Sequence, residues 1–131
     1  MKALTLTQPW ASLVALGHKR VETRSWPTHY RGPLAIHSAR GFPTWARQFA
    51  EEERAVGRLP SRVPCGAILC TVWLADCRPA QDVALEVSAL ERHLGDFTCG
   101  RWAWILEDLH VFSEPIPASG APSLWEWRQE A

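Results

Sequence analysis

Residues 17–26, GHKRVETRSW, bring a glycine, a histidine, three cationic side chains, one carboxylate and a tryptophan into one short segment. If the segment is extended, alternation divides its side chains between two faces: His18, Arg20, Glu22 and Arg24 on one, and Lys19, Val21, Thr23 and Ser25 on the other. A carboxylate between two guanidinium groups holds them in fixed directions, which suits bidentate contact with a phosphate. An exposed strand with alternating charges is the alternative, and the spacing alone does not separate the two.

Residues that flank this segment could complete a site for a nucleotide. Gln8 stands where a helix is predicted to begin, and the free N–H groups of a helix start attract anions. Trp10 and Trp26 offer rings on which a base could stack. Each has a structural alternative, since Gln8 could simply open the helix and either ring could pack in the core.

The periodicity of apolar residues predicts the elements that position these side chains. Thr7 could cap the first helix, Pro9 fits its first turn and Gly17 fits the position after its end. Predicted strands cover 2–7, 19–26, 33–39, 66–77 and 101–112, and predicted helices cover 8–16, 43–56 and 83–94. The tail, 114–127, is too rich in Pro and Gly for regular structure, although it ends in apolar anchors.

This order of elements predicts an α+β fold in a single domain over residues 1–131. About five or six strands with two or three inserted helices suit a small β-barrel. The nearly continuous apolar run at 66–77 is typical of a central strand. Closure of the sheet would remove the exposed edges that such apolar strands do not tolerate.

The charge of the chain is neutral overall but uneven along its length. Residues 1–50 carry seven Lys and Arg against one acid, whereas residues 51–131 carry seven Arg against thirteen acids. A basic face for an anionic partner is one interpretation of this asymmetry, and mixing of the two halves in the fold is the other. The net charge of zero argues against a long nucleic-acid interface and favours a short ligand or a single nucleotide.

The sequence lacks the patterns of several other classes of protein. No apolar run approaches the about 18 residues of a membrane helix, and the first residues lack a signal-peptide core, so we expect a cytoplasmic protein. The four cysteines, at 65, 70, 77 and 99, form no CxxC pair, so we expect reduced thiols, no metal and no cofactor. No GxSxG, HExxH, P-loop or GxGxxG motif occurs.

Four stretches of the chain, QPWASLVALGHKRVETRSW, YRGPLAIHSA, GRWAWILEDL and PSLWEW, together resemble the ASCH domain (activating signal cointegrator homology). This family belongs to the PUA-like β-barrel superfamily, and the resemblance covers essentially the whole chain. Its most specific element is the pattern GxKxxExR, which is intact here as Gly17, Lys19, Glu22 and Arg24. The resemblance implies a partly open barrel with a cleft beside the first helix, lined by these four residues.

The resemblance also implies a partner, which is RNA, single-stranded nucleic acid or a nucleotide-like small molecule. In this interpretation Lys19 and Arg24 neutralise the charge of the phosphate, and Glu22 recognises or orients the base. Trp10 or Trp26 stacks on that base. The chain is therefore predicted to be an RNA- or nucleotide-binding module.

A small hydrolase is the alternative. One branch of the superfamily consists of amidohydrolases acting on N4-acetylcytidine, in which a Lys activates a Thr three residues later. Here Lys19 is retained but the Thr position holds Glu22, and Thr23 would face the opposite way in a strand. This departure weakens the expectation of acetylcytidine hydrolysis. Some family members have been proposed to cleave RNA, and Lys19, Glu22 and His37 are the acid–base candidates if this protein is an enzyme.

Overall fold

Six strands and four helices form the regular structure of residues 1–129, the part of the chain that the computed structural model describes. The strands are β1 (Lys2–Leu6), β2 (Val21–Arg24), β3 (Gly32–Ser38), β4 (Ala67–Pro79), β5 (Trp102–Pro117) and β6 (Trp125–Glu126). The helices are α1 (Trp10–Ala15), α2 (Thr44–Ala55), α3 (Ala80–Val83) and α4 (Ala89–Leu94). The predicted α+β class is confirmed.

The strands form one curled sheet whose two ends approach each other. Their hydrogen-bonded order is β2-β5-β4-β3-β1-β6, in which β1 and β3 are parallel and the other neighbours are antiparallel. Arg24 at the β2 end donates from Nη1 to the carbonyl oxygen of Thr5 on β1, at 3.3 Å. The sheet is therefore an open barrel, and the complete closure expected from the sequence is not observed.

Helix α1 is buried on two sides, which explains its nearly continuous apolar sequence. Ala11 and Val14 belong to the core inside the curled sheet. Leu13 packs instead with Ala50 of α2 and Leu94 of α4. Because both sides of α1 are packed, this short helix sets the spacing between the sheet and the two other helices.

The start of α1 is held by Gln8 and not by the predicted Thr7 cap. The side-chain oxygen of Gln8 accepts a hydrogen bond from the Ser12 N–H at 2.9 Å. Its amide nitrogen donates to Ser12 Oγ and to the Pro64 carbonyl oxygen, both at 2.7 Å. Gln8 is fully buried, so its polar atoms are used within the fold.

Two other element predictions differ from the structure. The helix expected at 83–94 is divided into α3 and α4, and the hydroxyl of Ser88 caps α4 by accepting the Glu91 N–H at 3.1 Å. The tail expected to be irregular contains β6, which pairs with β1 through Lys2 opposite Glu126. Local composition does not reveal this strand because its hydrogen-bond partners lie at the other end of the chain.

The basic and acidic halves of the chain mix in the fold. Strands β1, β2 and β3 come from the basic half, and in the sheet they neighbour strands from the acidic half. Ion pairs join the halves directly, with Lys2 Nζ 2.8 Å from Glu126 Oε1 and Arg31 Nη2 3.5 Å from Asp76 Oδ1. The surplus of positive charge is therefore partly neutralised and does not form a separate basic face.

Membrane spans and metal clusters are absent from residues 1–129. The longest helix, α2, has 12 residues, and no helix in this range is long and apolar enough to cross a bilayer. No three His, Cys, Asp or Glu side chains in the same range are grouped so as to hold a metal ion. The four cysteines are free thiols, and burial raises the pKa of Cys70 to about 12.

A buried hydrogen-bond chain fastens the C-terminal segment to the sheet. His37 Nε2 donates to the Ala118 carbonyl oxygen at 2.8 Å, so its Nδ1 accepts from the Thr5 hydroxyl at 3.0 Å. The Trp125 ring nitrogen donates to the same Thr5 oxygen at 3.0 Å. Gly120 lies against this chain, and a Cβ there would stand 2.7 Å from both His37 Cε1 and Thr5 Oγ1.

We expect Gly120→Ala to lower the free energy of unfolding by about 1–3 kcal/mol, because the added methyl group overpacks the His37 and Thr5 contacts. Urea denaturation measures the change. Gly41→Ala is the matched control, since a Cβ there meets no atom within 4 Å and it should be neutral or slightly stabilising. Equal stabilities of the two variants would contradict the packing assigned to Gly120.

Candidate functional site

A cleft of about 400 Å³ lies between the helices and the β2 end of the sheet. Helices α1, α2 and α4 supply one side, and β2 with the residue preceding β5 supplies the other. A volume of this size is within the range of small-molecule pockets. The two sides differ in chemistry, since one is aromatic and the other is charged.

Four adjoining rings, of which one pair is stacked, form the aromatic wall, which consists of Trp45, Trp10, Phe49 and His93. Trp10 and Phe49 lie nearly parallel, with centroids 5.0 Å apart and an interplanar angle of 17°. Trp45 adjoins Trp10 at 5.6 Å, and His93 adjoins Phe49 at 5.5 Å. Trp45 remains 63% exposed, so a large ring is available to a ligand.

Glu22 and Arg24 are two members of the polar wall opposite. Glu22 Oε1 accepts the Thr23 N–H at 3.0 Å, and Glu22 Oε2 lies 3.4 Å from Arg24 Nη1. Arg24 also places its guanidinium carbon 5.7 Å from the centre of the Trp26 ring. The Arg24 side chain is thus oriented by an acid, by the Thr5 carbonyl oxygen and by an aromatic face.

Arg101, which precedes β5, is the third member of the polar wall. Its Nη2 donates to the Thr23 carbonyl oxygen at 2.9 Å, and its Nε lies 3.4 Å from Asp96 Oδ2. Hydrogen bonds from Thr98 hold the pKa of the Asp96 carboxyl below its usual value. The polar wall therefore carries two guanidinium groups and two carboxylates, so that a ligand would meet paired charges of both signs.

Lys19 lies beneath both walls and is buried, with 2% of its surface exposed. Its ammonium donates to the Val21 carbonyl oxygen at 2.6 Å and to the Leu94 carbonyl oxygen at 3.0 Å. It also lies 3.7 Å from Glu22 Oε1. Through these two hydrogen bonds and this ion pair, Lys19 supports β2 and the end of α4, and it does not line the cleft.

The placement of Lys19 and Glu22 on opposite faces, as strand alternation predicted, is wrong. Strand β2 begins only at Val21, and residues 17–20 form a turn in which the His18 and Lys19 N–H groups donate to the Leu13 carbonyl oxygen. Gly17 has a φ of 83° in this turn. Side chains alternate between the two faces only from Val21 onward, after the turn. Lys19 is therefore not bound by this alternation, and its side chain lies on the same side as Glu22.

The structure brings together three of the seven residues predicted to bind a ligand. Trp10, Glu22 and Arg24 line the cleft. The other four are Gln8, Gly17, Lys19 and Trp26, which do not line it. Trp26 packs edge-on against the core Trp104 at 4.8 Å, so its ring serves the fold. His37, a candidate acid–base group, also lies outside the cleft, in the hydrogen-bond chain with Thr5.

Nine of the twelve lining residues were not among the predicted ligand-binding residues, and the five of these with aromatic or ionisable side chains are Trp45, Phe49, His93, Asp96 and Arg101. Trp45 and Phe49 have an i, i+4 spacing in the helix predicted at 43–56, which is also the spacing of a core-facing helix surface. That spacing does place both rings on one side of α2, but the structure directs this side to the cleft. No sequence signal marks His93, Asp96 or Arg101, since their position depends on tertiary contacts: Leu94 of α4 packs with α1 and α2, and the Asp96 N–H donates to Thr23 Oγ1 of β2.

The curled sheet with a cleft beside α1 is the architecture that the sequence resemblance implies. Residues 4–115 match the model of the ASCH domain, so the chain belongs to the ASCH domain family. Activating signal cointegrator 1 of Mus musculus and of Homo sapiens are each 30% identical to it in an alignment of 131 positions that covers 94% of this chain. The chain spans 22% of the length of these curated relatives.

Solved structures support the fold independently. The crystal structure of ASCH from Zymomonas mobilis has a TM-score of 0.62 and covers 98% of this chain and 87% of that one. A point mutant of the same protein has a TM-score of 0.60 and covers 98% of this chain and 90% of that one. Sequence identity is 15% in both cases, so the likeness shows a common fold.

We expect Lys19→Met to lower the free energy of unfolding by about 3–5 kcal/mol, because Glu22 would lose a buried partner and two carbonyl oxygens would lose a donor. Thermal or urea unfolding measures the loss. Lys2→Met is the matched control: its ion pair with Glu126 is exposed to solvent, so its loss should have little effect on stability. Similar losses in the two variants would refute the supporting role of Lys19.

Proposed function

We propose that this protein binds single-stranded RNA or a nucleotide by taking one nucleotide into the cleft between the aromatic and polar walls. The observation that carries the proposal is the position of Trp45 and Trp10 opposite Arg24 and Glu22 across one cleft. Aromatic rings stack on any base, and guanidinium groups bind phosphate. This combination is the usual chemistry of single-strand recognition.

The dimensions and charge of the cleft favour one nucleotide over a long strand. Its volume of about 400 Å³ has room for a base with its sugar. The chain has no net charge. Both arginines that line the cleft are already paired with acids, Arg24 with Glu22 and Arg101 with Asp96. Because affinity for long nucleic acids grows with the number of neutralised phosphates, the contribution of extended backbone contacts should be small.

Each wall has a defined role in this proposal. The exposed face of Trp45, supported by Trp10, stacks on the base. Glu22 Oε2 holds only a 3.4 Å contact with Arg24, so it retains a lone pair for the amino group of adenine or cytosine. Arg24 binds the phosphate with the guanidinium protons that Glu22 and Thr5 leave free.

A hydrolase receives less support from the site. Lys19 is buried with its ammonium protons directed to carbonyl and carboxylate oxygens. His37 lies outside the cleft. Incubation of the protein with N4-acetylcytidine and with a mixed RNA pool tests this alternative, and product formation above the level of a Glu22→Gln variant would favour catalysis.

We expect Trp45→Ala to weaken binding of a short single-stranded RNA by about tenfold, the free energy of one lost base stacking contact. Fluorescence anisotropy with a labelled pentaadenylate measures the dissociation constant. Trp73→Ala is the matched control, because Trp73 is 47% exposed on β4 and does not line the cleft. Equal effects of the two substitutions, or no binding by the wild-type protein at low salt, would contradict the proposal.

We expect Arg24→Gln to reduce the slope of log affinity against log salt by about 0.7, because one phosphate contact of a single strand is lost. The slope is measured by the same anisotropy titration at several salt concentrations. Arg31→Gln removes a cation that pairs with Asp76 away from the cleft, and it should leave the slope unchanged. A slope that Arg24→Gln does not alter would exclude Arg24 as the phosphate ligand.

A further inference from the structure

His93 is the one ring of the aromatic wall that can carry a charge. We propose that protonated His93 binds the phosphodiester of the nucleotide in the cleft, so that RNA binds more tightly at mildly acidic pH. This inference rests on the proposed function above and adds to it a second phosphate ligand, whose charge depends on pH. Histidine is the side chain that ordinarily changes its charge between about pH 5 and pH 8.

The tautomer of His93 follows from its partner. His93 Nε2 lies 3.0 Å from Oε2 of Glu53, a carboxylate that is 2% exposed. Arg58 donates from Nε to Oε1 of Glu53 at 2.6 Å and from Nη2 to Oε2 at 3.2 Å, and these bonds hold the pKa of Glu53 below its usual value. An ionised carboxylate only accepts hydrogen bonds, so Nε2 carries a proton.

The His93 nitrogen that is available to a ligand is therefore Nδ1. Within residues 1–129, no hydrogen bond joins His93 Nδ1 to another protein group, and the side chain is 48% exposed at the edge of the cleft. When protonated, Nδ1 becomes a donor available to a ligand. Glu53 meanwhile fixes the plane of the ring through its contact with Nε2.

The position of His93 suits a phosphate adjoining a stacked base. Its ring continues the wall beyond Phe49, at 5.5 Å, whereas Trp45 forms the opposite end. A base stacked at Trp45 or Trp10 would leave the sugar–phosphate chain to run along the same wall. Phe49 offers phosphate no donor there and the indole N–H groups of Trp10 and Trp45 are uncharged, so the imidazolium is the one cationic donor that this wall can present to phosphate.

Other ionisable groups surround His93, and the experiment must distinguish their contributions to the pH dependence of binding from that of His93. Those facing the cleft or packed near the ring are Glu53 and Arg58 from α2 and the loop after it, Glu22 and Arg24 from β2, Asp96 and Arg101 beyond α4, and Glu91 on α4. The arginines stay charged throughout this pH range. Glu91 needs a control, because burial raises the pKa of its carboxyl, although that carboxyl is directed to the Arg20 N–H.

The experiment compares the dinucleotide ApA, whose phosphodiester does not titrate between pH 5.5 and pH 8, with adenosine, which has no phosphate. Isothermal titration at constant ionic strength gives both affinities across this range. We expect the affinity for ApA to rise about tenfold as pH falls, the strength of one charge-assisted hydrogen bond, and that for adenosine to stay constant. His93→Gln should abolish the rise, whereas Glu91→Gln should retain it.

The possible failures distinguish the two proposals. Absence of binding by both ApA and adenosine at every pH would overturn the proposed function. Binding of ApA with the same pH dependence in wild type and His93→Gln would overturn only the role of His93. If His93→Gln does not fold, the chemical shift of the His93 Cε1–H in the wild-type protein is followed by NMR as a function of pH. ApA should move the midpoint of this curve to higher pH, whereas adenosine should not, and an unchanged midpoint with ApA would overturn the role of His93.

Discussion

A buried ammonium group joins the two walls of the cleft. Lys19 donates to the Val21 carbonyl oxygen on β2 and to the Leu94 carbonyl oxygen at the end of α4, and it pairs with Glu22. A charge at this depth is stable only when hydrogen bonds and a counter-charge replace its water. Since His93 precedes Leu94 and Glu22 follows Val21, the position of this one nitrogen fixes the separation of the side chains that face each other across the cleft.

Helix α1 provides the second constraint, because it is packed on both sides. Its inner face fills the curled sheet, and Leu13 contacts the helices that carry the rest of the aromatic wall. Trp10 thereby stands in the centre of the ring stack, between Trp45 and Phe49. Buried Gln8 secures the start of the helix with hydrogen bonds that leave no polar atom for a ligand.

Much of the fold was predictable, and the errors have identifiable physical causes. Apolar periodicity located the main strands and α2, and the GxKxxExR pattern indicated the family. Alternation failed at Lys19 because the turn at 17–20 shifts the start of the strand period to Val21. Strand β6 was missed because Trp125 is ordered by pairing with β1 and not by local propensity.

The α+β class, the family and the charged segment around Glu22 and Arg24 could be predicted from the chain, because these depend on local spacing. Tertiary structure alone decided which residues share the cleft. Packing of α4 with α1 and α2 placed His93 in the same cleft as Glu22 and Arg101, and the Leu94 carbonyl oxygen at the end of α4 covers buried Lys19. Hydrogen bonds between distant residues and burial on both sides of one helix cause these arrangements, and neither leaves a periodic pattern in the chain.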